Sequence, residues 1–138
     1  MGFIDALVRA RIGLSAIGLN LDLDYWPGGT TRREFFETLR RIDMWSQFGM
    51  PLVIFLRAPS RQNDTGQAAR VAHRSASEDS QAQLVSRLVS LMRAHPVVQG
   101  VIWNTWQDVD GNAFAGSGLV DQEGRTKAAL SAFKKQSS

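Results

Sequence analysis

Aromatic and polar side chains collect at the end of one short apolar stretch, residues 97–108. Trp103, Trp106 and Asp108 follow a run of Val and Ile residues there. Aromatic rings pack against apolar ligand surfaces, and a carboxylate accepts hydrogen bonds from hydroxyl groups. The three residues are therefore candidates for binding a substrate, with core packing as the alternative for both tryptophans. Because side chains alternate along a strand, the tryptophans cannot share one face of a regular strand, and Trp103 is favoured for the site.

A second group of polar residues ends another apolar segment, residues 14–23. Asn20, Asp22 and Asp24 are spaced to project to one side of a strand. Asn20 and Asp22 could bind sugar hydroxyls, and Asp22 is the candidate for a catalytic carboxylate. Solvated strand-end roles are the alternative, and they are favoured for Asp24. Tyr25 and Trp26 come next and could line a cleft or pack within a loop.

One cation follows the apolar run Leu52–Leu56. Arg57 stands at the predicted end of that strand. A guanidinium at such a position suits an anionic ligand such as a uronate or a phosphate. The alternative is a salt bridge from Arg57 to Asp22 or Asp108, which would only satisfy buried acids.

The composition argues against several other classes of site. The 138 residues include no Cys and carry a net charge of +3. The acids near Asp108 lack the fixed spacing of a calcium loop, so turn and capping roles are favoured. We therefore expect no metal and no cofactor. Basic and aromatic residues are not interleaved in the polar segment 61–77, and no apolar run is long enough to span a bilayer, so neither nucleic acid nor membrane is an expected partner.

The elements that must position these residues alternate regularly. Short apolar runs bounded by turn residues predict buried strands, and apolar residues at helical spacing predict the segments between them. Buried strands alternating with helices favour parallel pairing, hence an α/β fold organised as a single domain, residues 1–138. The predicted helices are 1–11, 31–48, 78–95 and 126–135, and the predicted strands are 14–23, 52–56 and a strand within 97–108.

Three stretches in this order resemble the C-terminal part of a family 10 glycoside hydrolase, the xylanase type. Ser15–Asn20 is similar to the sixth strand of that family's (β/α)8 barrel, where the family has Ile-Gly-Leu-Gln and a nearby His. Trp45–Leu56 is similar to the sixth helix and seventh strand. Gly100–Trp103, followed by Gly118–Asp121 and Lys127–Ala129, is similar to the eighth strand and last helix. The resemblance implies a partial barrel of about three βα units with carbohydrate as its partner.

The departures from the family concern catalysis. The seventh strand of the family ends in Thr-Glu-Leu, and this Glu is the nucleophile; Leu56 stands at that position here, between Phe55 and Arg57. Asn20 and Asp22 replace the Gln and His of the sixth strand. The family's acid/base Glu lies on the fourth strand, which has no counterpart among these residues. The resemblance thus implies a xylanase-like chain that does not hydrolyse by itself, since a retaining glycosidase needs both carboxyl groups.

Three βα units are too few to close an eight-stranded barrel, which takes about 250 residues. We expect either that the chain completes its barrel with a missing N-terminal part or that it self-associates as a homo-oligomer. Two functions follow. The first is a polysaccharide-hydrolysing enzyme whose catalytic groups come partly from other strands. The second is a non-catalytic carbohydrate-binding or scaffold protein.

Overall fold

The computed structural model describes residues 2–26, 35–61, 70–71, 76–111 and 114–137. The elements within these ranges are α1 (Gly2–Arg9), β1 (Ile17–Asp22), β2 (Tyr25–Trp26), α2 (Phe35–Ser46), β3 (Leu52–Arg57), β4 (Arg70–Val71), α3 (Glu78–Ala94), β5 (Val98–Trp103) and α4 (Ala128–Ser137). Strands β1, β3 and β5 form a parallel sheet with β3 in the centre, and β2 pairs antiparallel with β4. The predicted fold class, α/β with parallel strands alternating with helices, is confirmed.

One face of the parallel sheet forms the core with the helices. Leu52, Ile54 and Leu56 alternate along β3 on this face and have no exposed surface. Burying each of these side chains contributes about 1.5–3 kcal/mol to folding. The paired residues of this face form three rows across the strands: Ile17, Leu52 and Val98; Leu19, Ile54 and Val101; Leu21, Leu56 and Trp103.

Helix α3 covers this face and packs against α4. Its buried residues Val85, Leu88 and Met92 recur every three or four positions, which places them on one side of the helix. The helix begins at a capping box in which Ser77 and Ser80 each accept a hydrogen bond from the other's backbone N–H, at 3.1 and 2.8 Å. None of the described helices has the length and apolar character needed to cross a bilayer.

The opposite face of the sheet is open in part. Gly18, Val53 and Gly100 form one of its rows, and Asn20, Phe55 and Ile102 form the next. The Phe55 ring lies 3.1 Å from the position that a Cβ on Gly18 would take, so the ring covers that glycine. Ile102 remains 45% exposed. This face therefore presents apolar side chains that the described helices do not cover.

The described structure differs from the sequence prediction at the end of β5 and in an additional pair of short strands. Strand β5 ends at Trp103, so Trp106 belongs to the following loop rather than to the strand. The short ribbon of β2 and β4 was not predicted, because two-residue strands carry no periodic pattern. The first four residues of the helix predicted at 31–48 lie outside the described residues.

Candidate functional site

The carboxyl ends of the three parallel strands bring an ion pair and a hydroxyl group together. Arg57 ends β3 opposite Asp22, which ends β1, and Arg57 Nη1 lies 3.3 Å from Asp22 Oδ1. Arg57 Nε donates to Thr105 Oγ1 at 3.2 Å, just beyond β5. We call Asp22, Arg57 and Thr105 the rim cluster. The sequence left open whether Arg57 binds an anionic ligand or forms a salt bridge to Asp22 or Asp108, and the structure contains the salt bridge to Asp22.

The guanidinium packs on the Phe114 ring, and Tyr25 packs in turn on Phe114. Arg57 Cζ lies 4.3 Å from the centre of the Phe114 ring, within range of a cation–π interaction. Tyr25 packs edge-on against Phe114, with ring centres 5.1 Å apart, and its hydroxyl donates to the Ala115 carbonyl at 2.9 Å. Burial raises the pKa of Tyr25 well above its usual range, so this phenol stays neutral. Arg57 is thus held in one orientation by polar and aromatic contacts.

The Asp22 carboxyl is affected by two opposing influences. Burial raises its pKa above the ordinary value of 3.8, and the Arg57 charge and hydrogen bond oppose this shift without cancelling it. A raised pKa is a property that a general acid needs, but catalysis by Asp22 stays a prediction.

Asn20 is exposed and lies on the same open face as Asp22. The two residues are two positions apart in β1, so they belong to the same side of the strand. The role predicted for the Trp26 side chain also stays a prediction.

The structure does not bring Trp103, the tryptophan favoured for the site, to the rim cluster. Trp103 pairs with Leu56 on the helix-facing side of the sheet. Its ring packs edge-on against Phe133 with centres 6.2 Å apart, and its Nε1 donates to the Ser117 carbonyl at 2.7 Å. The core-packing alternative therefore describes Trp103.

Leu56, which the resemblance places at the nucleophile position, does not face the open side of the sheet. Leu56 is fully buried against the helices, so a side chain at this position could not reach a ligand on the open face. Arg57 is the last residue of β3 that faces the open side, opposite Asp22. Arg57 thus puts a cation on the open face at the end of β3, and we call this place the inward position of the strand.

Trp106 is the exposed aromatic residue nearest in sequence to the rim cluster. Its side chain is 64% exposed, directly after Thr105. Its backbone is fixed, because the Trp106 carbonyl accepts hydrogen bonds from Leu119 and Val120 at 2.9 and 3.0 Å. A rigid backbone that presents an exposed indole is suited to stacking on the apolar face of a sugar ring.

The Asp108 carboxylate forms a buried ion pair with Lys127. Its Oδ2 lies 2.5 Å from Lys127 Nζ, and both side chains are buried, 6% and 3% exposed. Its Oδ1 accepts from the backbone N–H of Gly118 at 2.8 Å. The Asp108 oxygens thus contact a buried ammonium and a backbone amide, and the predicted contact of Asp108 with substrate stays a prediction.

The sequence reasoning missed the buried network around Lys127. Lys127 Nζ also donates to Ser60 Oγ at 2.9 Å, which links the start of α4 to the end of β3. Gln81 of α3 donates to the Ala58 carbonyl at 2.9 Å. A Cβ on Gly118 would lie 2.5 Å from the Asp108 backbone nitrogen, so only glycine fits there. These contacts fix the loop that carries Phe114 and thereby help to position Arg57.

Comparison with protein-family models and with characterised protein sequences gives no match. Solved structures do match. Xylanase 10B from Thermotoga maritima superposes with a TM-score of 0.67 and 15% identity, over 98% of this chain and 40% of that chain. The chain therefore shares its fold with part of this xylanase. The chain spans less than half the length of this xylanase.

Two further glycosidases share the fold. A β-glucuronidase from Bifidobacterium dentium, complexed with coumarin-3-O-glucuronide, gives a TM-score of 0.62 and 16% identity, over 91% of this chain and 21% of that chain. A family 2 β-galacturonidase from Eisenbergiella tayi, bound to galacturonate, gives 0.58 and 18%, over 88% of this chain and 22% of that chain. At such low identity the likeness establishes the fold, and function has to be argued from the site.

Among the described residues, no three His, Cys, Asp or Glu side chains are grouped so that they could hold a metal ion. The chemistry available at the described rim is therefore that of one acid, one guanidinium, a hydroxyl group and nearby aromatic rings. Such a set can donate and accept hydrogen bonds and can bind a planar anion.

Proposed function

We propose that this chain binds carbohydrate at the rim cluster and does not hydrolyse glycosides by itself. The observation that carries the proposal is the meeting of Asp22, Arg57 and Thr105 at the carboxyl ends of three parallel strands. This end of a (β/α)8 barrel is where enzymes of that fold hold their substrates. The exposed Trp106 beside Thr105 adds a surface on which a sugar ring could stack.

The same proposal assigns the three strands to a xylanase-type barrel, with β1, β3 and β5 as its sixth, seventh and eighth strands. The order of the resembling motifs in the sequence supports this assignment. The superposition of nearly the whole chain on a xylanase supports it as well. In that family the acid/base carboxyl comes from an earlier strand, so the assignment also accounts for its having no counterpart here.

The expected lack of hydrolysis follows from the inward position at the end of β3. A retaining glycosidase places two carboxyl groups about 5–5.5 Å apart, one of them as nucleophile. Arg57 occupies that inward position, and Asp22 is bound to it. A guanidinium cannot act as the nucleophile, because it stays protonated at any physiological pH.

The first test is an activity assay. We expect the purified chain to release neither reducing sugar from xylan nor the aryl group from aryl xylosides. An Asp22→Asn variant should behave identically. Turnover that is present in the natural chain and lost in Asp22→Asn would contradict the proposal and would identify Asp22 as a substitute carboxylate.

The second test measures binding of xylo-oligosaccharides by calorimetry. Trp106→Ala should weaken binding about tenfold, because truncating an aromatic anchor commonly costs more than 1 kcal/mol. Phe36→Ala is the matched control, since Phe36 is a similarly exposed aromatic residue on α2. Equal losses in both variants, or no binding by the natural chain, would contradict a carbohydrate site at the rim.

A second candidate function is catalysis within a completed barrel. The uncovered apolar side chains of the open face, including Ile102, favour further strands as neighbours. A chimera that joins this chain to the first five βα units of a xylanase-type barrel tests it. Activity in the chimera with Arg57 in place would support this candidate, whereas activity that appears only with Arg57→Glu would contradict it and would show that the cation blocks hydrolysis.

A further inference from the structure

The guanidinium of Arg57 is held firmly but is incompletely used. One face of the planar guanidinium lies over the Phe114 ring, while Nε faces Thr105 and Nη1 faces Asp22. Among the contacts made by the described residues, none uses Nη2. The side chain is 22% exposed, so part of it faces solvent.

The ion pair that restrains Arg57 is long. Charge-assisted N–H···O bonds are typically about 2.7–2.9 Å, whereas the contact of Nη1 with Asp22 Oδ1 is 3.3 Å. The pair also uses only one nitrogen and one carboxylate oxygen, rather than the parallel two-bond arrangement that arginine makes with its best partners. Asp22 therefore orients Arg57 without using up its capacity to bind a second carboxylate.

We propose that Arg57 selects sugars that carry a carboxylate, so that the rim cluster takes uronate-containing oligosaccharides in preference to neutral ones. This inference rests on the proposed carbohydrate-binding function and specifies its ligand class. The uronate carboxylate accepts hydrogen bonds from the Nη2 edge of Arg57. The hydroxyl groups of the sugar face Thr105, and its ring stacks near Trp106.

The neighbouring acid favours a uronate over a sugar phosphate. A phosphate monoester carries a charge of about −1.5 to −2 at neutral pH, whereas a uronate carries a single charge. Both would approach the Asp22 carboxylate, so the more highly charged group meets more repulsion. A planar carboxylate also matches the planar edge of the guanidinium.

The test compares ligands matched in size. Calorimetry at low salt measures the affinity of the chain for xylotetraose and for a xylotriose bearing one glucuronic acid branch. We expect the acidic ligand to bind roughly fivefold more tightly. In Arg57→Gln the ratio of the two affinities should fall to near one, and in Arg57→Lys it should be intermediate. Arg41→Gln, on an exposed face of α2, should keep the natural ratio.

A salt titration of the natural chain tests the same inference without depending on the folding of a variant. The preference for the acidic ligand should shrink as sodium chloride rises from about 20 to about 500 mM, because salt screens a partly exposed charge. Affinity for the neutral ligand should change little over that range. Glucose 6-phosphate and glucuronate, tested as competitors, separate a phosphate site from a uronate site.

The outcomes separate the two proposals. Equal affinity for both oligosaccharides, a preference that survives in Arg57→Gln, or stronger competition by the phosphate would overturn the inference while leaving carbohydrate binding intact. If neither oligosaccharide binds, the proposed function fails and the uronate preference fails with it.

Discussion

The charge of Arg57 determines what the rim cluster can do. At the end of β3, on the open face of the sheet, it gives the rim cluster a hydrogen-bond donor. The same guanidinium lowers the cost of ionising Asp22 but does not remove it, because burial remains the larger effect on that carboxyl. The pair is therefore suited to orienting a ligand, and the contribution of Asp22 to folding stability depends on pH.

Asp22 should make folding stability fall as pH rises. Its pKa in the folded chain is raised above 3.8, so between 3.8 and the folded pKa the folded state binds more protons than the unfolded state. The free energy of unfolding from this group is then highest below that window and decreases across it. Asp22→Asn should lack this component. Urea unfolding from about pH 3 to about pH 7 measures it, and parallel curves for the two proteins would contradict the raised pKa.

At the scale of elements, the loop between β5 and α4 depends on a charge pair shielded from water. Lys127 at the start of α4 joins Asp108, which lies beyond β5, and Ser60, which lies beyond β3. Burying two charges is costly, and removing one partner strands the other. This pair thus couples the shape of the loop, and with it Phe114, to the packing of α4.

Lys127→Met should destabilise the chain by about 3–5 kcal/mol, because it leaves the Asp108 carboxylate buried without its partner. Adding Asp108→Asn should recover much of that loss, since the amide oxygen can still accept from Gly118 and no charge remains. Arg41→Gln, in an exposed ion pair on α2, should hardly move the urea midpoint. A small effect of Lys127→Met would mean that water reaches this pair.

The elements were largely predictable because their patterns are local. The apolar run Leu52–Leu56 and the helical spacing of Val85, Leu88 and Met92 each lie within one element, and the structure agrees with both. The facing of Trp103 was not predictable in the same way. A continuously apolar strand does not reveal which side packs on helices, and that side depends on pairing with Leu56.

The site was predictable in part, because two of its residues lie at the ends of strands that have local patterns. The end of each strand identified Asp22 and Arg57, and parallel pairing brought them together. The contact between Asp108 and Lys127 joins residues far apart in the sequence, and no local pattern links them. A lone lysine before a helix is ordinarily a solvated residue, so its burial becomes evident only from tertiary packing.

At the scale of the whole molecule, the described helices leave one face of the parallel sheet uncovered in part. Ile102 is 45% exposed there, and β1 and β5 are the edges of the described parallel sheet. Parallel sheets are ordinarily covered on both faces. In the longer xylanase that superposes on this chain, the rest of the barrel is available to supply that cover.

We therefore expect the isolated chain to self-associate through the open face. Sedimentation velocity should show a larger species whose fraction grows with concentration. Ile102→Lys should shift the chain towards monomer, because a charge in that contact would lose its hydration. Phe36→Lys, on an exposed helix position, should not. A monomer at every concentration, or dissociation by both variants, would contradict this role of the open face.

The most direct test of a carbohydrate site at the carboxyl ends of the strands is a nitrogen-15 NMR titration with xylo-oligosaccharides. We expect the backbone amides of Asp22, Arg57 and Thr105 and the indole N–H of Trp106 to shift together and saturate at one common affinity. Shifts confined to the opposite ends of the strands, at Ile17, Leu52 and Val98, or no saturable shift at all, would contradict the account.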